Sequence, residues 1–255
     1  MLKLIKYEFR KNLYGTAVMG GIILAAQFYF MYASLIADNR NKALGGSWFL
    51  VITAVVCFFM VFATGVVTYS KELSNKTGYL VFMTPNSAIK IIGSKLLYTF
   101  FNGVIVLAVL VVLGITDWKI LAGMWEQELS VFEMAADMLS MLGVDVAHIL
   151  YSLLAVIVKF LINFFMAVTL AYMSVTATAT VLQNKKVKGL ISVVLYIVML
   201  VGIGRIGEQL PRIYEYPESF TQVVLSDLPC TLFFLIIIVG AVTATAGLLE
   251  KHVSL

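Results

Sequence analysis

The stretch from Ile91 to Ile115, IIGSKLLYTFFNGVIVLAVLVVLGI, decides the fold of this chain. It carries one charged side chain, Lys95, close to its beginning. A helix needs about 20 apolar residues to cross the roughly 30 Å of hydrocarbon in a bilayer. The stretch therefore predicts a membrane-spanning helix.

The composition of the whole chain points the same way. Its 255 residues are 61% hydrophobic and 13% charged, with a mean hydropathy of +0.98 and a formal net charge of +4. Soluble domains carry about 25% charged residues, and disordered chains have low hydrophobicity. Both classes are excluded, so an integral membrane protein remains. Cys57 and Cys230 lie in or beside apolar runs and predict no disulfide framework.

Five apolar runs are candidates to span a bilayer, of which 190–206 is marginal in length, and a longer stretch supplies a sixth. The stretch 146–182 is too long for one perpendicular crossing, and counting back from the polar Gln183 places its crossing at 161–182. The predicted spans are 15–37, 47–69, 91–115, 161–182, 190–206 and 228–249. We expect an all-α integral membrane protein with six transmembrane helices.

The loops between these spans differ in basic charge. With both termini inside, twelve Lys and Arg residues fall on the cytoplasmic side and five on the outer side, with Lys159 set aside. Cytoplasmic loops carry the excess of basic residues in membrane proteins. We therefore predict cytoplasmic N and C termini, in a multi-pass protein of the plasma membrane.

The N-terminal segment, residues 1–14, has an amphipathic pattern. Leu2, Ile5, Phe9 and Leu13 fall within one arc at helical spacing, and basic residues lie beside it. This pattern predicts an interfacial helix whose apolar stripe enters the inner leaflet. An ordinary basic flank of the first span is the alternative.

The segment 70–90 joins the second and third spans on the cytoplasmic side. Gly78 is a predicted helix breaker, and Pro85 is suited to the first position of a new helix after Thr84. We expect a short surface helix or elbow with Glu72 exposed, which is able to dock a soluble partner. A plain connecting loop is the simpler reading.

This segment resembles the first cytoplasmic loop of the type-2 permease family, the membrane-spanning subunits of ATP-binding cassette exporters, particularly the small bacterial forms. The amphipathic N-terminus, the six spans and the inside termini fit the same family. The matching residues in the loop are Glu72, Gly78-Tyr79-Leu80, Thr84-Pro85 and Gly93-Ser94-Lys95.

The resemblance implies a single transmembrane permease domain over residues 1–255, which exports an amphipathic or hydrophobic peptide, drug or lipid. Two such subunits pair, identical or different, and each contacts a separate ATPase subunit that binds ATP and magnesium. Glu72 would lie at the ATPase contact, and Gly78, Tyr79, Thr84 and Pro85 would form the coupling elbow. Lys95 would anchor the third span at the inner headgroups.

The residues offer no enzymatic site of their own. No Gly-Lys pair exists to close a phosphate-binding loop, so this chain should not bind ATP and needs no cofactor. Gly202 to Gly207 matches a dinucleotide fingerprint in letters, but its glycines fit close helix contact better. We expect no nucleic-acid partner. The rival function is a non-transporting membrane protein, an assembly factor or sensor, that docks a cytoplasmic partner.

Three further features of the sequence bear on anchoring, helix packing and the outer surface. Lys159 is either an anchor at the outer interface, which we favour, or a substrate contact, with Asn163 as its hydrogen-bond neighbour. The repeats 175–179 and 242–246, both VTATA, predict close helix packing or a paired hinge, and packing is favoured. The acidic external loop 116–146 is expected to lie on the outer surface.

Overall fold

The computed structural model describes residues 2–36, 40–74, 87–124, 149–181, 187–211, 213–214, 222 and 225–253. Seven α-helices account for nearly all of these residues. They are α1 (Leu2–Lys11), α2 (Leu13–Met31), α3 (Arg40–Ser74), α4 (Ala88–Met124), α5 (Ile149–Val181), α6 (Lys188–Gln209) and α7 (Leu228–Val253). A π-helical turn, Tyr32–Ile36, extends α2.

The six predicted spans are confirmed as the six long apolar helices, α2 to α7. Each has the length and composition to cross a membrane. Several run past the predicted ends, and α4 continues through Gly114, next to the predicted boundary at residue 115. The segment 116–124, predicted as external loop, is the end of α4, and 70–74 is the end of α3.

The helices pack around α5, which contacts α7, α6 and α3. The largest buried cluster joins Tyr69 of α3, Ile92 of α4, Tyr172 of α5 and Leu249 of α7. The final turns of α3 and α7 and the first turns of α4 therefore meet at one end of the bundle. The short helix α1 packs on α4 at this same end.

The two VTATA repeats face each other across the largest helix contact, between α5 and α7. Val175 and Ala246 share one buried cluster, and Val242 packs against it. This arrangement is the packing that the sequence favours. Close approach also holds at Gly207, where an added Cβ would lie 3.2 Å from the Phe234 ring.

Candidate functional site

Four charged side chains meet where α1 crosses the ends of α3 and α4. Glu8 and Lys11 lie on α1, Glu72 lies in the last turn of α3, and Lys95 lies near the beginning of α4. The Lys95 ammonium is 2.5 Å from Glu8 Oε1 and also pairs with Glu72, while Lys11 pairs with the other oxygen of Glu72. We call these four residues the ionic cluster.

Three members of the ionic cluster are buried, the fourth, Lys11, has a side chain that is 34% exposed, and the four charges balance. Glu8, Glu72 and Lys95 are 5%, 7% and 3% exposed, and the two carboxylates alternate with two ammonium groups. Burying a charge is costly unless a partner lies in good geometry, and removing one partner leaves the other charge uncompensated. The cluster therefore fixes α1 to both α3 and α4.

Aromatic contact supports the same docking of α1. The Phe9 ring packs edge-on against Tyr98 of α4, with ring centroids 4.9 Å apart. Phe9 and Glu8 thus both engage α4. The amphipathic helix of the sequence prediction is present, and its position at a membrane surface stays a prediction.

Two predicted roles need correction in this part of the bundle. Glu72 was expected on an exposed surface, but its neighbours Lys11 and Lys95 hold the carboxylate inside the protein. Lys95 was expected to reach lipid headgroups, but its side chain turns inward because two carboxylates lie within reach. Both residues tie helices together.

The remaining members of the predicted coupling elbow, Gly78, Tyr79, Thr84 and Pro85, lie outside the described residues. So does most of the external loop. Glu72 and Lys95, which lie on either side of the undescribed residues 75–86, pair with each other.

Sequence reasoning missed Glu8 as a member of this site. It is the only acid within the first thirteen residues, and Lys95 is the only charge within the span that opens with Ile91. Both residues lie in segments that are expected at the same face of the membrane. An isolated acid and an isolated base in such positions are the signal in the sequence that could have predicted this pair.

Lys159 lies towards the other end of the bundle. Its ammonium is 2.5 Å from Asp227 Oδ2, and its side chain is 53% exposed. Asn163 donates a hydrogen bond to the Lys159 carbonyl oxygen at 2.8 Å. The ion pair links α5 to the residue before α7, and the anchoring role stays a prediction.

Beside the ionic cluster, two stacked tyrosines join α3 to α5. The rings of Tyr69 and Tyr172 have centroids 4.3 Å apart and are inclined by 12°. Thr176 donates to the Tyr172 carbonyl oxygen, so its 2.6 Å contact with Tyr69 uses the phenol proton of Tyr69. The pair is buried and hydrogen-bonded, which gives these helices one fixed register.

Glycine lets α3 and α4 approach closely next to this stack. A Cβ added at Gly65 would lie 2.6 Å from Thr99 Oγ1 and 2.8 Å from Thr99 Cγ2. The Tyr172 hydroxyl donates to the Gly65 carbonyl oxygen at 3.3 Å. Gly65 thus provides both space and an acceptor at the point where the three helices meet.

A groove of about 950 Å³ runs along α5 between α3 and α6, and Leu107, Leu110 and Val111 of α4 form part of its wall. We call it the lateral groove. The described residues that line it include no charged side chain, and their polar groups are few. Aromatic rings contribute much of the wall, namely Phe58, Phe59, Phe62, Phe160, Phe164 and Tyr196.

Among the described residues, no group of three or more His, Cys, Asp or Glu side chains is placed to hold a metal ion. Searches of protein-family models, of curated proteins and of solved structures found no match to this chain. The site is therefore interpreted from its own geometry, together with the resemblance of the loop that it flanks.

Proposed function

We propose that this chain is the membrane-spanning subunit of an ATP-driven exporter, and that it transports an amphipathic or hydrophobic substrate. In this proposal a separate ATP-binding cassette subunit binds and hydrolyses ATP. A second permease subunit, identical or different, completes the pathway in the plasma membrane.

The ionic cluster is the observation that carries the proposal. Glu72 and Lys95 stand at the two flanks of the segment that resembles a coupling loop, and both pair with residues of α1 or with each other. A displacement applied to that segment would therefore move the ends of α1, α3 and α4 together. Rigid-body movement of packed helices is a common way for proteins to transmit a conformational change.

The lateral groove supports the substrate class. A lining without charge disfavours an ion or a strongly charged solute, because a buried charge there would lack a partner. Apolar and aromatic walls with a few polar groups are typical of sites for hydrophobic ligands. The proposed substrate therefore has a substantial apolar part.

The proposal is tested by purification of the tagged chain from its native membrane in mild detergent. We expect an ATPase subunit with a phosphate-binding loop to co-purify and, after reconstitution into vesicles, ATP hydrolysis that requires both chains. A Tyr79→Ala, Pro85→Ala double variant should lose the ATPase but remain folded. Val112→Ala, on the exposed face of α4, is the matched control and should retain it.

Glu72→Arg is unsuitable for this test, because it would place a third cation beside Lys11 and Lys95. Recovery of the intact chain without an ATPase, under conditions that preserve a known exporter complex, would refute the proposal. It would favour the non-transporting alternative.

A further inference from the structure

We propose that the lateral groove binds the single apolar chain of an uncharged amphiphile, and that Ser192 donates a hydrogen bond to an oxygen at its polar end. This deepens the proposed function, since it names the ligand class of the groove. The binding itself requires neither an ATPase nor a second subunit.

The length of the groove fits one chain. Its lining on α3 extends from Ala54 to Val66, which advance about 18 Å at roughly 1.5 Å per residue. One leaflet supplies about half of the roughly 30 Å of hydrocarbon in a bilayer. The groove therefore matches the depth of one leaflet.

The width of the groove is limited by an aromatic contact. Phe62 of α3 and Tyr196 of α6 have ring centroids 5.8 Å apart and bridge two helices that otherwise pack only marginally on each other. A ligand that occupies the full length lies between this aromatic pair and α5. A single flexible chain fits such a passage better than a rigid fused-ring body.

The polar end of the ligand is placed by two hydroxyl groups. Ser174 and Ser192 line the groove at the end nearer the ionic cluster and are 1% and 7% exposed. Ser174 donates to the Ala171 carbonyl oxygen at 2.8 Å, so Ser192 is the donor in the 3.4 Å contact between the two hydroxyls. That distance is long for a hydroxyl pair, whose usual separation is about 2.7–2.8 Å.

The Ser192 hydroxyl is therefore available to donate a shorter hydrogen bond to an acceptor on the ligand. An ether, ester or alcohol oxygen at the end of the chain supplies one. A carboxylate or an ammonium group is disfavoured, because the groove offers no charge to balance it.

The test is photolabelling of the purified full-length chain in nanodiscs, with no ATPase present. The probe is hexadecanol that carries a diazirine in its chain, and the labelled residues are mapped by mass spectrometry. We expect label on the groove faces of α3, α4, α5 and α6, with competition by unlabelled hexadecanol. Label on the exposed side of α2, which does not line the groove, should not be competed.

Two variants separate the groove from the general lipid surface. Ala167→Phe fills the groove from α5 and should abolish the competed label. Ala25→Phe makes the same change on an exposed position of α2, a helix that contributes no residue to the groove lining, and should leave the label intact.

Ser192→Ala tests the polar end with little change in volume. It should weaken competition by hexadecanol about threefold to tenfold, the effect of one neutral hydrogen bond, and leave competition by hexadecane unchanged. Hexadecanoate should compete less well than hexadecanol with the unmodified chain.

Uniform label on groove and lipid-facing positions with no competition would overturn the binding site. Equal competition by hexadecanoate and hexadecanol would overturn the uncharged class. ATP-dependent efflux with no label in the groove would refute the groove as the binding site and leave the proposed exporter function intact. If hexadecanol competes with the label but no ATPase co-purifies with the chain, the groove is confirmed as a binding site and the proposed exporter function is refuted.

Discussion

Replacement of Lys95 by Met should destabilise the protein strongly. Met preserves helix propensity and most of the length of the side chain but removes the ammonium that pairs with both carboxylates. Glu72 keeps Lys11, whereas Glu8 loses the ammonium that lies 2.5 Å from its Oε1. The main cost is therefore one uncompensated buried carboxylate.

Removal of one partner from a buried ion pair costs about 3–5 kcal/mol, which lowers the folded-to-unfolded ratio by about two to four powers of ten. A second substitution, Glu8→Gln, removes the uncompensated carboxylate. The remaining ion pair between Glu72 and Lys11 then has no net charge. The double variant Glu8→Gln, Lys95→Met should therefore recover about 2 kcal/mol of the loss, within the range of couplings between contacting residues.

The assay is equilibrium unfolding of the purified protein in mixed micelles of increasing dodecyl sulfate content, followed by helical circular dichroism. Lys90→Met, an exposed position on the same helix, is the control and should change the free energy of unfolding by no more than about 0.5 kcal/mol. A Lys95→Met variant as stable as this control would refute the reasoning, as would a double variant no more stable than the single one.

Three further substitutions test other contacts by the same unfolding assay. Gly65→Ala should lower the free energy of unfolding by about 1–3 kcal/mol, because the added Cβ would overlap the Thr99 side chain. The control Gly114→Ala, whose Cβ would meet no atom within 4 Å, should be neutral or slightly stabilising. Equal changes in the two variants would contradict the close approach of α3 and α4. Tyr69→Phe should lower the free energy of unfolding by about 1–1.5 kcal/mol, because it removes the 2.6 Å hydrogen bond to Thr176. The control Tyr14→Phe, at a residue that is 82% exposed, should change it very little. A Tyr69→Phe variant as stable as the unmodified protein would argue against the hydrogen bond to Thr176. Lys159→Ala should cost no more than about 1 kcal/mol, since its ion pair is half exposed, and a loss above about 2 kcal/mol would indicate a buried role.

Most spans could be predicted from the sequence because their runs reach the length of about 20 residues that a bilayer requires, as in the stretch that begins with Ile91, whereas the run 190–206 is shorter. Their ends could not, since α4 continues to Met124 although Gly114 lies next to the predicted membrane boundary. Hydropathy describes how well a segment partitions into lipid, and it does not report where a helix stops.

The candidate site was predicted only in part. Glu72 and Lys95 were singled out, but as surface and headgroup contacts, because a single sequence does not show which opposite charges meet. The pairing of Lys95 with Glu8 depends on how α1 folds back onto α4, a tertiary arrangement with no local signal. The packing of the VTATA repeats was accessible, since small residues on two helices favour close contact.

The docking of α1 also has a consequence for biogenesis. Lys11 and Glu72 are separated by 61 positions, and Glu8 and Lys95 by 87. At a synthesis rate of roughly 5–20 residues per second, Lys95 is made about 4–17 s after Glu8. The helix α1 therefore waits, with the Glu8 carboxylate still hydrated, until α4 has been made and inserted, so the ionic cluster closes only after α1, α2 and α3 have all been synthesised.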